Sequence, residues 1–526
     1  MSMIRRSFGA VVLLALAACG GGGGGSSSGG GGGGTTAPAV SLSPSSLSFG
    51  NQTVNTTSGA QAVTLTNTGN ATLSISSITL TGTDAAAYAK TTTCGSSLAA
   101  NANCSISMTF TPTTTASTTA SLSIATNAAG SPATVALTGT GTAIANNALT
   151  ITIDSGPPGI TTANIAYATV TVCTPGSTTQ CTSIDHIQVD TGSFGLRLFA
   201  SELGNAVPTP ATDTASGNPL RECVIYADGY TWGSVGKVDV QLGSSTINNV
   251  AVQILGDTNA GAAPNSCATT NGTSNGTFEN TVATFGAKGI LGIGVFAQDC
   301  GPYCAQSPAQ PQWYYTCPSG NCSPVAVALS DQVQNPITLV RYDNNGVVID
   351  LPAVSGAGQT TLQGTVYFGV ATQNNNSPAS SVSWYTLSSQ GTLTTVYVDR
   401  ANKTNTLSNS FIDLGSNGLF FGDSGITGCT TSIGFYCPPS TLNLSATIRG
   451  VNNVQTTATF TVDNAESDFS AFPSYGVYTH LAGNNSSPTA PSNAFDWGSP
   501  FFFGRRVYHL FEQNGLNNIQ GPAIAF

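Results

Sequence analysis

Ile187-Gln188-Val189-Asp190-Thr191-Gly192-Ser193-Phe194-Gly195-Leu196 and Ser410-Phe411-Ile412-Asp413-Leu414-Gly415-Ser416-Asn417-Gly418-Leu419 are two versions of one phrase. Both read D-x-G-S-x-G-L after an apolar run, and the two aspartates stand 223 positions apart. A repeat of this kind within one chain predicts two related lobes. Each lobe would present a carboxylate on a tight glycine-containing turn at the end of a buried strand. A buried carboxylate is expensive unless hydrogen-bonded, and the glycine and serine that follow offer close backbone and a hydroxyl donor.

Two such carboxylates facing each other share one proton, because like charges a few ångströms apart cannot both ionise. The ionised member can act as general base on a water molecule, and the protonated member as general acid. Asp190 and Asp413 are therefore the candidate catalytic pair. Thr191, Gly192, Ser193, Gly415 and Ser416 are their expected supports.

Further segments match a known pattern in the same order. Tyr226-Ala227-Asp228-Gly229, leading to Gly233-Ser234-Val235-Gly236, resembles a flap hairpin, with Tyr226 at the flap tyrosine. Phe285-Gly286-Ala287-Lys288-Gly289-Ile290-Leu291-Gly292-Ile293-Gly294 resembles the segment that closes the first lobe's active-site loop. Val366-Tyr367-Phe368-Gly369 resembles the strand crossing between lobes, and Trp497-Gly498-Ser499-Pro500-Phe501-Phe502 the C-terminal closing segment. With both aspartate phrases, these make residues 147–526 similar to the bilobal pepsin-like aspartic proteases, with lobes at about 147–370 and 371–526. More narrowly, the chain resembles an uncharacterised family of bacterial lipoproteins with that fold.

The resemblance implies an endopeptidase-like activity on extended polypeptide, with Tyr226 covering the cleft and neither metal nor organic cofactor required. One position departs from it. In pepsin-like enzymes the residue after each aspartate carries a hydroxyl that braces the lobes together. Thr191 can do this and Leu414 cannot. Displacements near 1 Å can cost on the order of a hundredfold in rate. The alternative reading is an impaired scaffold that uses the cleft for peptide binding or adhesion. Gly422-Asp423-Ser424-Gly425 and Gly272-Thr273-Ser274-Asn275-Gly276 copy serine-hydrolase motifs, but neither has the expected strand–helix context or a placed histidine.

Upstream, residues 39–142 carry short strands of period-two alternation at roughly ten-residue spacing, the pattern of a β-sandwich. Asn67-Thr68-Gly69-Asn70-Ala71-Thr72-Leu73 resembles a turn of bacterial immunoglobulin-like anchor domains, of the abnormal-spindle and hydin type. The expected fold is thus all-β: an immunoglobulin-like β-sandwich followed by a bilobal pepsin-like domain.

Arg5 and Arg6 precede an apolar run from Phe8 to Ala18, too short for a membrane-spanning helix and suited to a signal peptide over residues 1–18. Leu16-Ala17-Ala18-Cys19 resembles the bacterial lipobox, which implies a lipidated Cys19. With Gly20 following, the outer membrane is favoured over the inner. Residues 20–38, almost wholly Gly and Ser, read as a tether of ~25 Å reach. With Cys19 set aside, twelve of the 13 cysteines remain. The simplest pairing is local: Cys94–Cys104, Cys173–Cys181, Cys223–Cys267, Cys300–Cys304, Cys317–Cys322 and Cys429–Cys437, in an oxidising compartment.

Composition removes several alternatives. Only 7% of the 526 residues are charged, and 13 Lys+Arg against 23 Asp+Glu give a net charge of −10. No basic surface is available for nucleic acid. The three histidines, His186, His480 and His509, are scattered without metal-ligand spacing. The expected partners are a membrane, through the lipid, and a polypeptide.

Overall fold

Alternating Val, Ile, Leu and Thr, punctuated by Gly, Asn and Pro, builds strands almost everywhere in this chain. The computed structural model describes residues 36–54, 57–142, 147–306, 313–485 and 493–526. The expected signal peptide, Cys19 and the Gly/Ser-rich stretch as far as residue 35 lie outside the described residues. The chain divides into two compact units, Met1–Ile144 and Ala145–Phe526.

The first unit is a β-sandwich. One sheet runs in the order Val40–Ser43, Gln61–Asn67, Asn103–Phe110, Tyr88–Thr92; the other in the order Ser46–Thr53, Ala133–Thr142, Ser117–Thr126, Leu73–Thr81, Ser97–Leu98. Inward positions such as Val63, Leu65, Ile106, Met108, Leu122 and Leu137 form its core. Tyr88–Thr92 escapes a reading by alternation because only Tyr88 of its five residues is buried. Asn67 has no exposed surface. Its Nδ2 donates to the carbonyls of Ala71, Leu98 and Ala99, and its Oδ1 accepts from Gly69 N–H. The side chain thus ties the turn that follows it to the end of Ser97–Leu98.

The second unit has two lobes joined by a base sheet. Ala148–Ile153 pairs with Ala166–Cys173 on one side and with Leu362–Phe368 on the other. The sheet continues through Gly346–Leu351, Arg505–Leu510, Ala523–Ala525 and Trp384–Thr386. Strands from residues 505–525 therefore return beside strands near 150 and 350, so the division at about 370 separates the lobes but not the base beneath them.

Each lobe repeats one topology. In the first, Gly289–Ile293 inserts between Cys181–Asp190, to which it is parallel, and Phe194–Phe199, to which it is antiparallel. In the second, Asp496–Trp497 inserts between Thr404–Ile412 and Leu419–Phe420 in the same senses. A fourth strand runs parallel to the outer member in both: Ser245–Leu255 beside Phe194–Phe199, and Ala482–Gly483 beside Leu419–Phe420. The repeated phrase in the sequence thus corresponds to a repeated fold. All twelve described cysteines are joined in the six local pairs named above.

Asn67→Ala removes several side-chain bonds to the backbone at once, the one to Leu98 O fully buried. Urea unfolding should show the sandwich destabilised by about 2–3 kcal/mol, and a loss within error of zero would contradict this account of the turn.

Candidate active site

Each aspartate ends a strand, and the chain turns immediately so that the carboxylate receives the amide N–H two residues on. Gly192 N–H donates to Asp190 Oδ1 at 2.7 Å, and Gly415 N–H to Asp413 Oδ1 at 2.8 Å. The turns face each other so closely that only glycine fits. A Cβ on Gly192 would lie 2.8 Å from Asp413 Oδ2, and one on Gly415 would lie 2.3 Å from Asp190 Oδ1. Ser416 Oγ donates to Asp413 Oδ2 at 3.1 Å. Ser193 lies near enough to Asp190 to lower its pKa, although its hydroxyl makes no well-formed hydrogen bond.

Asp190 and Asp413 are 6% and 7% exposed and hydrogen-bond to each other. Burial, and then the charge of Asp413, push Asp190 well above the ordinary carboxyl range. Asp413 is raised by burial and by Asp496, but the bonds from Asp190, Gly415 and Ser416 favour its ionised form. The two carboxyls therefore share one proton, and their titration belongs to the pair.

Thr191 and Leu414 sit below the pair, both buried. Thr191 Oγ1 accepts from Leu414 N–H at 2.9 Å, and its own proton faces Ile412 O at 3.5 Å and Asp413 Oδ1 at 3.4 Å. The Leu414 side chain joins the hydrophobic core and returns no bond. Other groups tie down the turn it occupies. Gln188 Nε2 donates to Gly415 O at 3.0 Å, and Ser499 Oγ lies 3.0 Å from Leu414 O and 2.7 Å from Asn164 O. Asn164 Nδ2 in turn donates to the carbonyls of Asn417 and Tyr478. The second turn is thus held through its backbone by Gln188 of the first copy of the phrase and by Ser499 and Asn164 from outside it.

A cavity of about 380 Å³ opens over the pair. Val224, Ile225, Tyr226 and Ala227 overhang it from the hairpin of Leu220–Ile225 and Gly229–Leu242, whose base is pinned by Cys223–Cys267. Tyr226 packs edge-on against Phe285. Trp313 lines the cavity, whereas Trp232 donates to Gly261 O and lies edge-on to Tyr315.

Three further cavity residues carry no signal in the repeated phrase. Arg197 is buried between Glu222 at 2.9 Å and Asp299 at 3.1 Å. His509 has both ring nitrogens without partners, and burial lowers it to about 3. Asp496 is pushed up to about 8 by burial and by the charge of Asp190. Arg197 and Asp496 were findable in principle: each is a charged residue inside an apolar strand, in Leu196-Arg197-Leu198 and Phe495-Asp496-Trp497. Of the serine-hydrolase look-alikes, Asp423 accepts from Tyr397 OH and from Gly425 N–H, and Ser424 is exposed; Ser274 accepts from Gly276 N–H. Both are turns.

Glu279, beside the hairpin tip, is also raised to about 8, by burial and by Asp228. Asp190, Asp413, Asp496, Glu279 and Asp299 all hold their protons more tightly folded than unfolded. Between about pH 4 and pH 8 the folded chain then binds more protons, so raising the pH through that window removes stability. His509, with its lowered value, opposes this as a single group below its ordinary 6.5. Thermal unfolding should give a lower Tm near pH 8 than near pH 5, with a smaller difference in Asp496→Asn. A Tm that rises between those pH values would contradict the assignment.

No curated protein matches the chain. An aspartic proteinase from Irpex lacteus is similar in structure at TM-score 0.39 and 14% identity, covering 72% of this chain and 96% of that one. A protein of unknown function from Porphyromonas gingivalis W83 is similar at TM-score 0.18 and 18% identity, covering 20% of this chain and 49% of that one. At these scores the fold is described by the chain's own strand pairing: all-β, with a sandwich and two lobes related by a repeated topology. Residues 37–142 match Cep192 domain 4. Residues 143–526 match the family described as "Protein of unknown function (DUF3443)", and the chain belongs to that family.

Proposed function

We propose that this protein is an aspartic endopeptidase acting on extended polypeptide, anchored to a bacterial envelope membrane. The observation that carries the reading is the pair of buried carboxyls, hydrogen-bonded to each other beneath a cavity of about 380 Å³. The lining of that cavity supports it as well. Arg197 Nε, Asp496 Oδ1, both ring nitrogens of His509 and the hydroxyls of Ser193 and Tyr226 are buried there without well-formed bonds. Buried polar groups left open in this way fit a site whose occupant brings its own donors and acceptors, as a peptide backbone does.

The chemistry follows from the shared proton, in the state that places it on Asp190. Asp413 takes a proton from a water molecule as that water's oxygen bonds to the peptide carbonyl carbon. Asp190 gives its proton to the carbonyl oxygen, leaving a neutral gem-diol. Asp413 then passes its proton to the amide nitrogen as the C–N bond breaks, and a diol hydroxyl returns a proton to Asp190. The products are an acid and an amine, and the pair is restored.

Leu414 favours a second reading, a scaffold that binds peptides without cutting them, because the reciprocal hydroxyl is absent. The disulfide-bonded region 39–526, incubated with a diverse peptide mixture from pH 3 to 7 and read by mass spectrometry, separates the two. Cleavage is expected in the wild type, falling about 10²–10⁴-fold in Asp190→Asn and Asp413→Asn. A folded sample that cuts nothing until Leu414→Thr is introduced would establish the second reading.

The anchor rests on Leu16-Ala17-Ala18-Cys19, with Gly20 pointing to the outer membrane. Full-length protein should fractionate with outer membranes, and Cys19→Ser should release it. A variant that stays bound would mean some other attachment.

A further inference from the structure

Asp496 is an acid that the shared-proton pair does not require. It stands in the strand Asp496–Trp497, paired with Phe411 on one side and Phe420 on the other. Phe495 and Trp497 stack at 4.1 Å in the aromatic core of the second lobe. Alternation along the strand turns Asp496 the opposite way, into the cavity above the pair. Ser416 lies beside its carboxyl with its proton given to Asp413, and Oδ1 is buried without a partner.

The matching position in the first lobe makes the choice plain. Gln188 pairs with Ile290 two residues before Asp190, as Phe411 pairs with Asp496 two residues before Asp413. An apolar residue therefore suits the architecture, and the acid is an addition that costs desolvation. No cation among the described residues lining the cavity offsets it. Arg197 is already held by Glu222 and Asp299, and burial keeps His509 neutral.

We infer that Asp496 is a specificity residue that selects a cationic side chain, lysine or arginine, at one position beside the bond to be cut. The inference rests on the endopeptidase reading of the same cleft. An ammonium or guanidinium group would supply the missing donor and favour the ionised form of a carboxyl that burial otherwise keeps protonated. Phe411, Leu387 and Ile524 line the same cavity and offer apolar wall for a methylene stem. An acidic side chain would instead meet Asp190, Asp413 and Asp496 together. The net charge of −10 draws cationic peptides in the same sense.

Peptides that differ only in one residue flanking the cleaved bond, carrying Lys, Arg, norleucine or Glu, test this on the wild-type protein. Lys and Arg should exceed norleucine in kcat/KM by about tenfold or more at one flanking position, and Glu should be the poorest. The Lys-to-norleucine ratio should fall to about one in Asp496→Asn and survive in part in Asp496→Glu, with circular dichroism confirming that both fold. Equal cleavage of Lys and norleucine peptides by the wild type would overturn the inference and leave the endopeptidase standing. If the wild type cuts none of them, titration of labelled peptides by fluorescence anisotropy reads the same preference. Lys over norleucine in binding then sustains Asp496 as the selector without hydrolysis, and no preference in either measurement overturns it.

Discussion

Two carboxyl groups buried within hydrogen-bonding distance of each other form the constraint around which the second unit is arranged. Left to themselves they would repel, or drive the chain open to water. The fold makes them tolerable by letting one proton serve both and by giving each an amide N–H from its own turn. That solution dictates glycine at 192 and 415, since a methyl group at either place would collide with the opposite carboxylate. It also dictates the inserted strand in each lobe, which fixes where each turn begins. The base sheet, drawing strands from near 150, 350 and 510, holds the two turns opposite each other.

The two lobes reach this arrangement unequally. The first turn contributes a hydroxyl, Thr191, that reaches across to the second. The second contributes only its main chain, steadied by Gln188 and by the chain of bonds running from Leu414 through Ser499 to Asn164. The loss expected from Leu414 is thus partly made up by polar side chains that lie elsewhere in the sequence. The cavity above keeps the same asymmetry, with an acid at 496 where the other lobe has Ile290.

The repeated phrase made the lobes, the facing aspartates and the hairpin over them legible because each depends on local chemistry: an apolar strand, a glycine turn, a tyrosine before a tight bend. Strands of strict alternation, such as Asn103–Phe110 and Ala133–Thr142, were legible for the same reason. Close cysteine spacings anticipated five of the six disulfides, and Cys223–Cys267, 44 residues apart, followed as the pair left over. Tyr88–Thr92 was not legible, because an edge strand with one buried residue lacks periodicity. Arg197 and Asp496 left a local mark, a charge inside an apolar strand, whereas His509, Asn164 and Gln188 left none. Their roles are set by what lies opposite them in space, at separations such as the 227 residues between Gln188 and Gly415, and no local pattern encodes that.

The way Leu414 is used bears on how such chains are recognised. The turn offers its neighbours an amide N–H and a carbonyl, groups that almost any amino acid supplies, so drift at this position leaves those bonds intact. Proline alone would remove the donor that Thr191 receives. A search pattern that insists on a hydroxyl after both aspartates therefore passes over relatives whose second turn works through its main chain. At 414 the hydroxyl that such a pattern demands gives way to main-chain bonds and a buried apolar side chain.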